Sequence, residues 1–286
     1  MKKLIALLAF AATLFTACTE KPEKPEEDFG DVVIPELPAD PQPGNTSFSH
    51  RILLLQHTGT YCPNCPRLMA SLKALAGEAD YAAKYHHVAA HSYNEAGDLA
   101  YSAAAYNLSQ AFCSGSYPEL TFNLTRENTD NDTSVETIKR HIDEFHKDAA
   151  DAGIAAAVLQ TGSSLGVNVQ VKASKENQYR IAVWVLEDGI RCKQEGAFED
   201  WMNTHGNAVR TMAGKTLNMK IYGEKVDLLK AGETAQRSFA IPLEEGWNAE
   251  NCKVLVLVNA AGADGRYDLV NCALCPVGSS VSYAYN

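Results

Sequence analysis

The spacing of apolar and polar residues changes character several times along the chain, and each change predicts an element or a boundary. Leu4–Phe15 is a continuous apolar run behind Lys2 and Lys3, the layout of an export leader and too short for a permanent bilayer span. From Thr19 to about Ser49 the chain turns polar and Pro-rich, with Lys21-Pro22-Glu23-Lys24-Pro25-Glu26-Glu27-Asp28 and then Pro35, Pro38, Pro41 and Pro43. Such a stretch buries too little apolar surface to offset the entropy of ordering it, which predicts an extended tether. Arg51–His57 is a short apolar run suited to a strand buried on both faces, and Thr58-Gly59-Thr60 breaks it. From Pro63 to about Ala79, the residues Leu68, Met69, Leu72, Leu75 and Ala76 recur at helical spacing, with Gly77 as an end signal. Beyond lie a strand near 85–93, a helix near 98–112, a loop from Cys113 to Pro118 and a strand over 119–124. Thr133 or Ser134 can cap a last helix reaching about Ala152, with Glu136 near the capping-box position.

After Gly153 the pattern becomes one of strands without a convincing long helix. The candidates are 154–160, 165–173, 179–186, 216–222, 235–242, 252–260, 267–273 and 280–285. The segment 198–213 fits neither pattern and reads as a long, ordered connection. Alternating strands and helices over 50–152 predict an α/β sheet layer, and the short strands over 153–286 predict an all-β sandwich, immunoglobulin-like in outline. The domain plan is therefore a signal peptide (1–17), a tether (18–49), an α/β domain (50–152) and a β-sandwich domain (153–286).

Composition agrees with this plan. At 286 residues with 46% hydrophobic and 21% charged positions, the chain has the make-up of two ordinary globular domains. Its net charge is -10, and removal of Lys2 and Lys3 with the leader makes it more acidic still, which argues against nucleic acid as a partner. Thr16-Ala17-Cys18 resembles a lipobox, in which cleavage leaves Cys18 as the lipidated first residue. The acyl chains on Cys18 would then be the membrane anchor, on the periplasmic or the surface side of an outer membrane. Seven of the eight cysteines remain once Cys18 is set aside, an odd number in a compartment where disulfides persist, so at least one thiol is free or pairs outside the chain.

The chemistry concentrates at Cys62-Pro63-Asn64-Cys65, between the buried strand and the helix. A thiolate there is stabilised by the unpaired N–H groups and positive dipole end of the helix, which makes Cys62 the attacking group. Cys65, one turn on, can resolve a mixed disulfide, and Pro63 restricts the loop without costing a hydrogen bond. This order of elements resembles the thioredoxin fold, which implies that Pro118 in Tyr117-Pro118-Glu119 is the cis-proline shaping the groove beside the pair. Thioredoxin has Trp before the first Cys and an acid six positions upstream; here Tyr61 and Gln56 stand in those places, so proton transfer lacks its usual carboxylate. His57, next in sequence, faces the other side of the strand.

Three segments extend the resemblance: Gln56-His57-Thr58-Gly59-Thr60-Tyr61-Cys62-Pro63-Asn64-Cys65-Pro66, Thr204-His205-Gly206-Asn207-Ala208-Val209-Arg210, and Val270-Asn271 through Pro276-Val277-Gly278. They are similar to Bacteroidetes lipoproteins related to a twenty-eight-kilodalton outer-membrane protein. That resemblance implies a thioredoxin-like first domain, a β-rich second domain and an outer-membrane location.

The remaining candidates read as structural. Cys272 and Cys275 lie three apart in a strand, so they point to opposite faces. A hairpin turning at Ala263-Asp264 would set Cys252 opposite Cys275 as a cross-strand disulfide, with the register open by a residue or two. His87 and His91 share a strand face, yet packed or solvated histidines are commoner than ligands, and no metal is assigned. Cys113 could approach the redox pair but reads first as a small buried residue at a helix end. The leading expectation is thiol–disulfide exchange with protein thiols or disulfides through Cys62, Cys65 and Pro118, with no dissociable cofactor. The alternative is a non-enzymatic surface lipoprotein with a static Cys62–Cys65 bond and a β domain that binds protein or glycan.

Overall fold

A computed structural model describes residues 29–126, 129–262 and 266–286. The leader, Cys18 and the proposed turn Ala263-Asp264 lie outside the described residues. The first elements are β1 (Ile52–Thr58), α1 (Cys65–Ala76), α2 (Ala79–Ala82), β2 (Tyr85–His91), α3 (Ala103–Phe112), β3 (Glu119–Phe122), β4 (Thr129–Asp130) and α4 (Val135–Phe145). There follow β5 (Ala152–Thr161), β6 (Ser164–Ala173), β7 (Asn177–Glu187), β8 (Ile190–Arg191), β9 (Thr204–His205), β10 (Ala208–Met212) and α5 (Leu217–Tyr222). The last are β11 (Glu224–Leu229), β12 (Thr234–Pro242), β13 (Cys252–Ala261), β14 (Tyr267–Pro276) and β15 (Ser279–Val281). The fold is mostly β, built on a mixed sheet.

That sheet has the order β14-β13-β7-β10-β2-β1-β3-β4, with β11 also pairing with β7. It is parallel between β1 and β2 and between β2 and β10, and antiparallel elsewhere. It runs unbroken across residue 153, and Asp31–Asn286 is one compact unit. Strand alternation explains how both faces are covered. Leu53, Leu55, Ala182, Trp184, Leu186, Leu255 and Leu257 point to one face, where they pack with Ala105, Leu108 and Phe112 of α3 and Ile221 of α5. On the other face, Ile52 and Leu54 meet Leu68, Leu72 and Leu75 of α1 and Ile138 and Ile142 of α4. Further along that second face, Ile181, Val183, Val185, Val254, Val256 and Val258 pack against a four-stranded sheet, β12-β6-β5-β15. The period-two pattern Leu165, Val167, Val169, Val171 supplies the inner face of that smaller sheet, each residue being fully buried.

Three expectations need correction. The segment 216–222 is helical, not a strand: Thr216 caps it by accepting the Met219 N–H at 3.3 Å, and Leu217 and Ile221 fall one turn apart. The segment 198–213 is more than a connection, because it contains β9 and the sheet strand β10. The Pro-rich stretch from Asp31 is extended, as its composition predicts, but it lies along the outer face of the small sheet. There the Asn168 amide donates to the Pro35 carbonyl at 2.9 Å, and the Lys172 ammonium, 2% exposed, pairs with Asp40 at 2.9 Å and donates to the Pro43 carbonyl at 2.7 Å.

Asn271 ties the start of β1 to both sheets. Its side chain accepts the Arg51 N–H at 3.0 Å and donates to the carbonyls of Ser49 at 3.2 Å and Ala152 at 2.9 Å. The Cys272 N–H also donates to it at 3.0 Å, so its removal takes this partner from two N–H groups and two carbonyls. Asn271→Ala is therefore expected to lower the unfolding free energy by about 2–4 kcal/mol in urea titration, with an unchanged m-value.

Candidate redox site

β1 ends at Thr58, whose carbonyl accepts the N–H groups of Ser92 and Tyr93 at 2.9 and 3.1 Å. The next residue must be glycine, because a Cβ on Gly59 would sit 2.7 Å from the Tyr93 Cβ. A tight turn follows, with the Cys62 N–H donating to the Gly59 carbonyl at 3.1 Å and the Cys65 N–H to the Cys62 carbonyl at 3.2 Å. Cys62 and Cys65 are joined in a disulfide with Cα atoms 5.4 Å apart. The pair opens α1, where Pro occupies an early position, Asn64 makes no side-chain cap and the first turn carries no acidic residue. The positive end of the helix is thus left to act on the sulfur atoms.

Asp98 anchors this turn, and the sequence had offered it only as a helix start. Its carboxylate accepts the Thr60 N–H at 2.9 Å, the Ala100 N–H at 2.9 Å and the His91 ring Nδ1 at 3.0 Å. Burial alone would raise its pKa, but the His91 hydrogen bond and charge, with those two backbone donors, outweigh this and hold it at about 2. Gln56 lies on the α1 side of β1 and is buried; its Oε1 meets His87 Nε2 at 2.9 Å and its Nε2 has no hydrogen-bond partner. Gln56 thus brings a neutral amide, not a carboxylate, to this side of the strand. His57 faces the opposite side as the strand period requires, held between Ser109 and Thr121 at 2.9 Å each.

The loop of Pro118 meets the same end of the sheet. Glu119 pairs with His57, which sets Pro118 beside the end of β1, and the Tyr117–Pro118 peptide bond is cis. The Tyr117 hydroxyl is 3.1 Å from Ser92 Oγ, and its ring packs edge-on against Tyr93 with centroids 5.2 Å apart. Cys113, the C-cap of α3, donates its thiol to Glu119 Oε2 at 3.0 Å; burial and that carboxylate push its pKa up to about 12, so it is a poor nucleophile.

The connection between β7 and β10 lies on the α1 face. Gln194, buried, donates its amide to the carbonyls of Cys62 at 2.9 Å and Gly59 at 3.4 Å, and the Glu195 N–H donates to the Thr60 carbonyl at 2.7 Å. Farther along, the Lys73 ammonium sits 4.0 Å from the Trp201 ring centroid. Between this connection, α1 and the sheet is a cavity of about 230 Å³, lined among others by Gln56, Met69, His87, His91, Trp201 and His205. The His91 and His205 rings pack edge-on at 4.9 Å. Among the described residues, no group of three or more His, Cys, Asp or Glu side chains is arranged to hold a metal ion.

The proposed Cys252–Cys275 link does not form. The β13–β14 register, with Ala261 opposite Tyr267, is already one residue off the expected pairing, and a bulge at Val258/Asn259 shifts it by one more, so that Cys275 faces Val254, while the Cys252 carbonyl accepts the Val277 N–H at 3.2 Å. Both are free thiols. Cys272 and Cys275 do point to opposite faces, the former into the α3 side and the latter into the core between the sheets.

The family described as outer membrane protein Omp28 matches residues 106–273, more than half of the chain. That span begins inside α3 and does not include the Cys62–Cys65 turn. No curated protein matches the sequence. Among solved structures, HBP35 of Porphyromonas gingivalis is similar with a TM-score of 0.63 at 14% identity, over 81% of this chain and 76% of that one. The X-ray structure of an Agrobacterium tumefaciens protein has a TM-score of 0.51 at 13% identity, over 83% of this chain and 99% of that one. At such identities the likeness concerns the fold.

Buried histidines here and at the start of β1 imply a pH dependence. Burial lowers the pKa of His57 from 6.5 to about 3 and those of His50 and His205 to about 4, so all three are neutral in the fold. Their stabilising share is complete above pH 6.5, where the unfolded rings are also neutral, and is lost as pH falls toward the folded values. The Asp98 share persists until the pH drops below 3.8. The expected thermal midpoint is flat from pH 8 to 7 and falls steadily from about pH 6.5 to 4; a flat profile down to pH 4 would contradict this assignment.

Proposed function

The chain belongs to the Omp28 family of outer membrane proteins, and we propose that in the envelope it acts as a thiol–disulfide exchange protein through Cys62 and Cys65 on a thioredoxin-like half. One observation carries the reading: the disulfide sits at the junction of a buried strand and an uncapped helix N-terminus free of acidic residues. That setting stabilises a departing or attacking thiolate. The surrounding order supports it. β1 and β2 are parallel, β3 is antiparallel, α1 and α4 cover one face, α3 covers the other, and a cis Tyr117–Pro118 bond precedes β3.

In the oxidised form a thiolate of a protein dithiol attacks Cys62 Sγ, and Cys65 leaves as thiolate. The second partner thiol then displaces Cys62, so the partner is oxidised by two electrons and the pair reduced by two. No dissociable cofactor takes part, and the partners are protein thiols or disulfides. Gln56 offers no carboxylate to move the Cys65 proton, so water serves instead and exchange is slow with general reductants. Lipidation of Cys18 places the domain on the outer membrane, on its periplasmic or surface side.

A second reading is favoured by one fact: Cys62 is only 1% exposed. On that reading the disulfide is static and the β-rich half binds protein or glycan. Trapping separates the two. Cys65→Ser, expressed in its native envelope, is expected to accumulate discrete mixed-disulfide adducts that vanish on reduction and are absent from the Cys62→Ser/Cys65→Ser pair. Absence of adducts from the single variant would refute the exchange reading.

A further inference from the structure

Cys62 is closed off by a part of the chain far from it in sequence. The segment between β7 and β10 is clamped at its root by the two-residue pairing of β8 with β9, Ile190 with His205 and Arg191 with Thr204. The His205 ring Nε2 meets the Cys192 carbonyl at 3.0 Å, and Asn203 Oδ1 accepts the Gln194 N–H at 2.9 Å. From this root the hairpin reaches the redox turn, where its hydrogen bonds from Gln194 and Glu195 go to main-chain carbonyls. Gln194 Nε2 donates to the carbonyls of Gly59 and Cys62, and the Glu195 N–H donates to that of Thr60. Gly196, at a φ of +73°, lies so close to the Pro63 carbonyl that a Cβ there would overlap it. The Gln194 side chain also leaves its Oε1 buried without a partner, a mark of a contact that is not fully satisfied when closed.

We propose that the hairpin Ile190–His205 is a hinged cover over the Cys62–Cys65 pair, opened by an extended protein segment that takes the cover's place on the carbonyls of Gly59, Thr60 and Cys62. The proposal rests on the exchange reading above and adds the class of partner. A small thiol has no row of backbone N–H groups to offer those three oxygens, whereas an extended polypeptide does, in the manner of strand addition. The closed cover therefore excludes small thiols from Cys62 and admits protein substrates. Such an arrangement leaves the chemistry of the pair unchanged and controls access to it.

The test measures how fast the intact disulfide of the full-length protein is reduced by dithiothreitol, read by mass after alkylation. Gly196→Ala forces the cover off Pro63, and Gln194→Ala removes its two contacts to the turn. Gly162→Ala is the control for backbone strain alone, since Gly162 has a φ of +57° and nothing within 4 Å of its Cβ position. Both cover variants are expected to be reduced at least tenfold faster than the wild type and the control, with thermal midpoints that show the sheets intact. On the wild type itself, hydrogen exchange of the Glu195 amide is expected to be faster than that of Val183 in the core, reporting opening without global unfolding. Equal reduction rates for all four proteins, or a Glu195 amide as protected as Val183, would overturn the cover. Failure of the exchange reading is distinct: the cover variants would still accelerate reduction while Cys65→Ser traps nothing.

Discussion

Strand β10 is the constraint on which the rest of the architecture depends. It lies between the half that carries the disulfide and the half made of long antiparallel strands, parallel to β2 on one side and antiparallel to β7 on the other. The join is short: the Ala89 N–H donates to the Asn207 carbonyl at 2.8 Å, and Ala208 aligns with Ala89. Asn207 takes a φ of +55° to make the turn into the strand, its N–H donating to Asp188 Oδ1 at 2.7 Å, while Asp188 also pairs with Lys253 at 2.5 Å. Asn tolerates that conformation better than most side chains. With β7 and β10 side by side, the twenty residues between them must leave the sheet and come back to the same place. The face open to them is the one beside α1, and lying there they wall the cavity and cover the disulfide.

The electrostatics of the site follow from the same packing. Gln56 is a neutral amide and burial keeps His57 and His205 uncharged, so the ionised group bonded to the turn is Asp98. Its charge is spent on the N–H groups of Thr60 and Ala100 and on His91, which hold the turn in place and do not serve the sulfur atoms. What remains for a thiolate is the helix end. On the exchange reading proposed above, a thiolate would be stabilised by the helix end, with access and not acid–base chemistry as its control.

Local features of this fold were legible in the sequence and long-range ones were not. Strand β1, helix α1 and the alternation of Leu165 through Val171 follow from periodicity and end signals within a dozen residues. Leu217, Met219 and Ile221 alternate as a strand would, while Leu217 and Ile221 also satisfy one helical turn, and the Thr216 cap decides in favour of the helix. The β13–β14 register is one residue off the expected pairing already at Ala261–Tyr267, and a bulge at Val258/Asn259 that no turn rule supplies adds a second, and together these separated Cys252 from Cys275. The polar tether gave no hint that Asn168 and Lys172 wait for it on the sheet surface. The cover was least visible of all, because Gln194 meets the Cys62 carbonyl across 132 positions of sequence.

The reduction potential of the Cys62–Cys65 couple, measured on the intact protein at equilibrium in defined thiol–disulfide buffers, tests the central claim most directly, since a cover alters rates and leaves the equilibrium between oxidised and reduced pair readable. A pair that exchanges with protein substrates is expected between about −270 and −120 mV, the span of dithiol exchange proteins. A value below about −300 mV, the range of structural disulfides, would contradict the account.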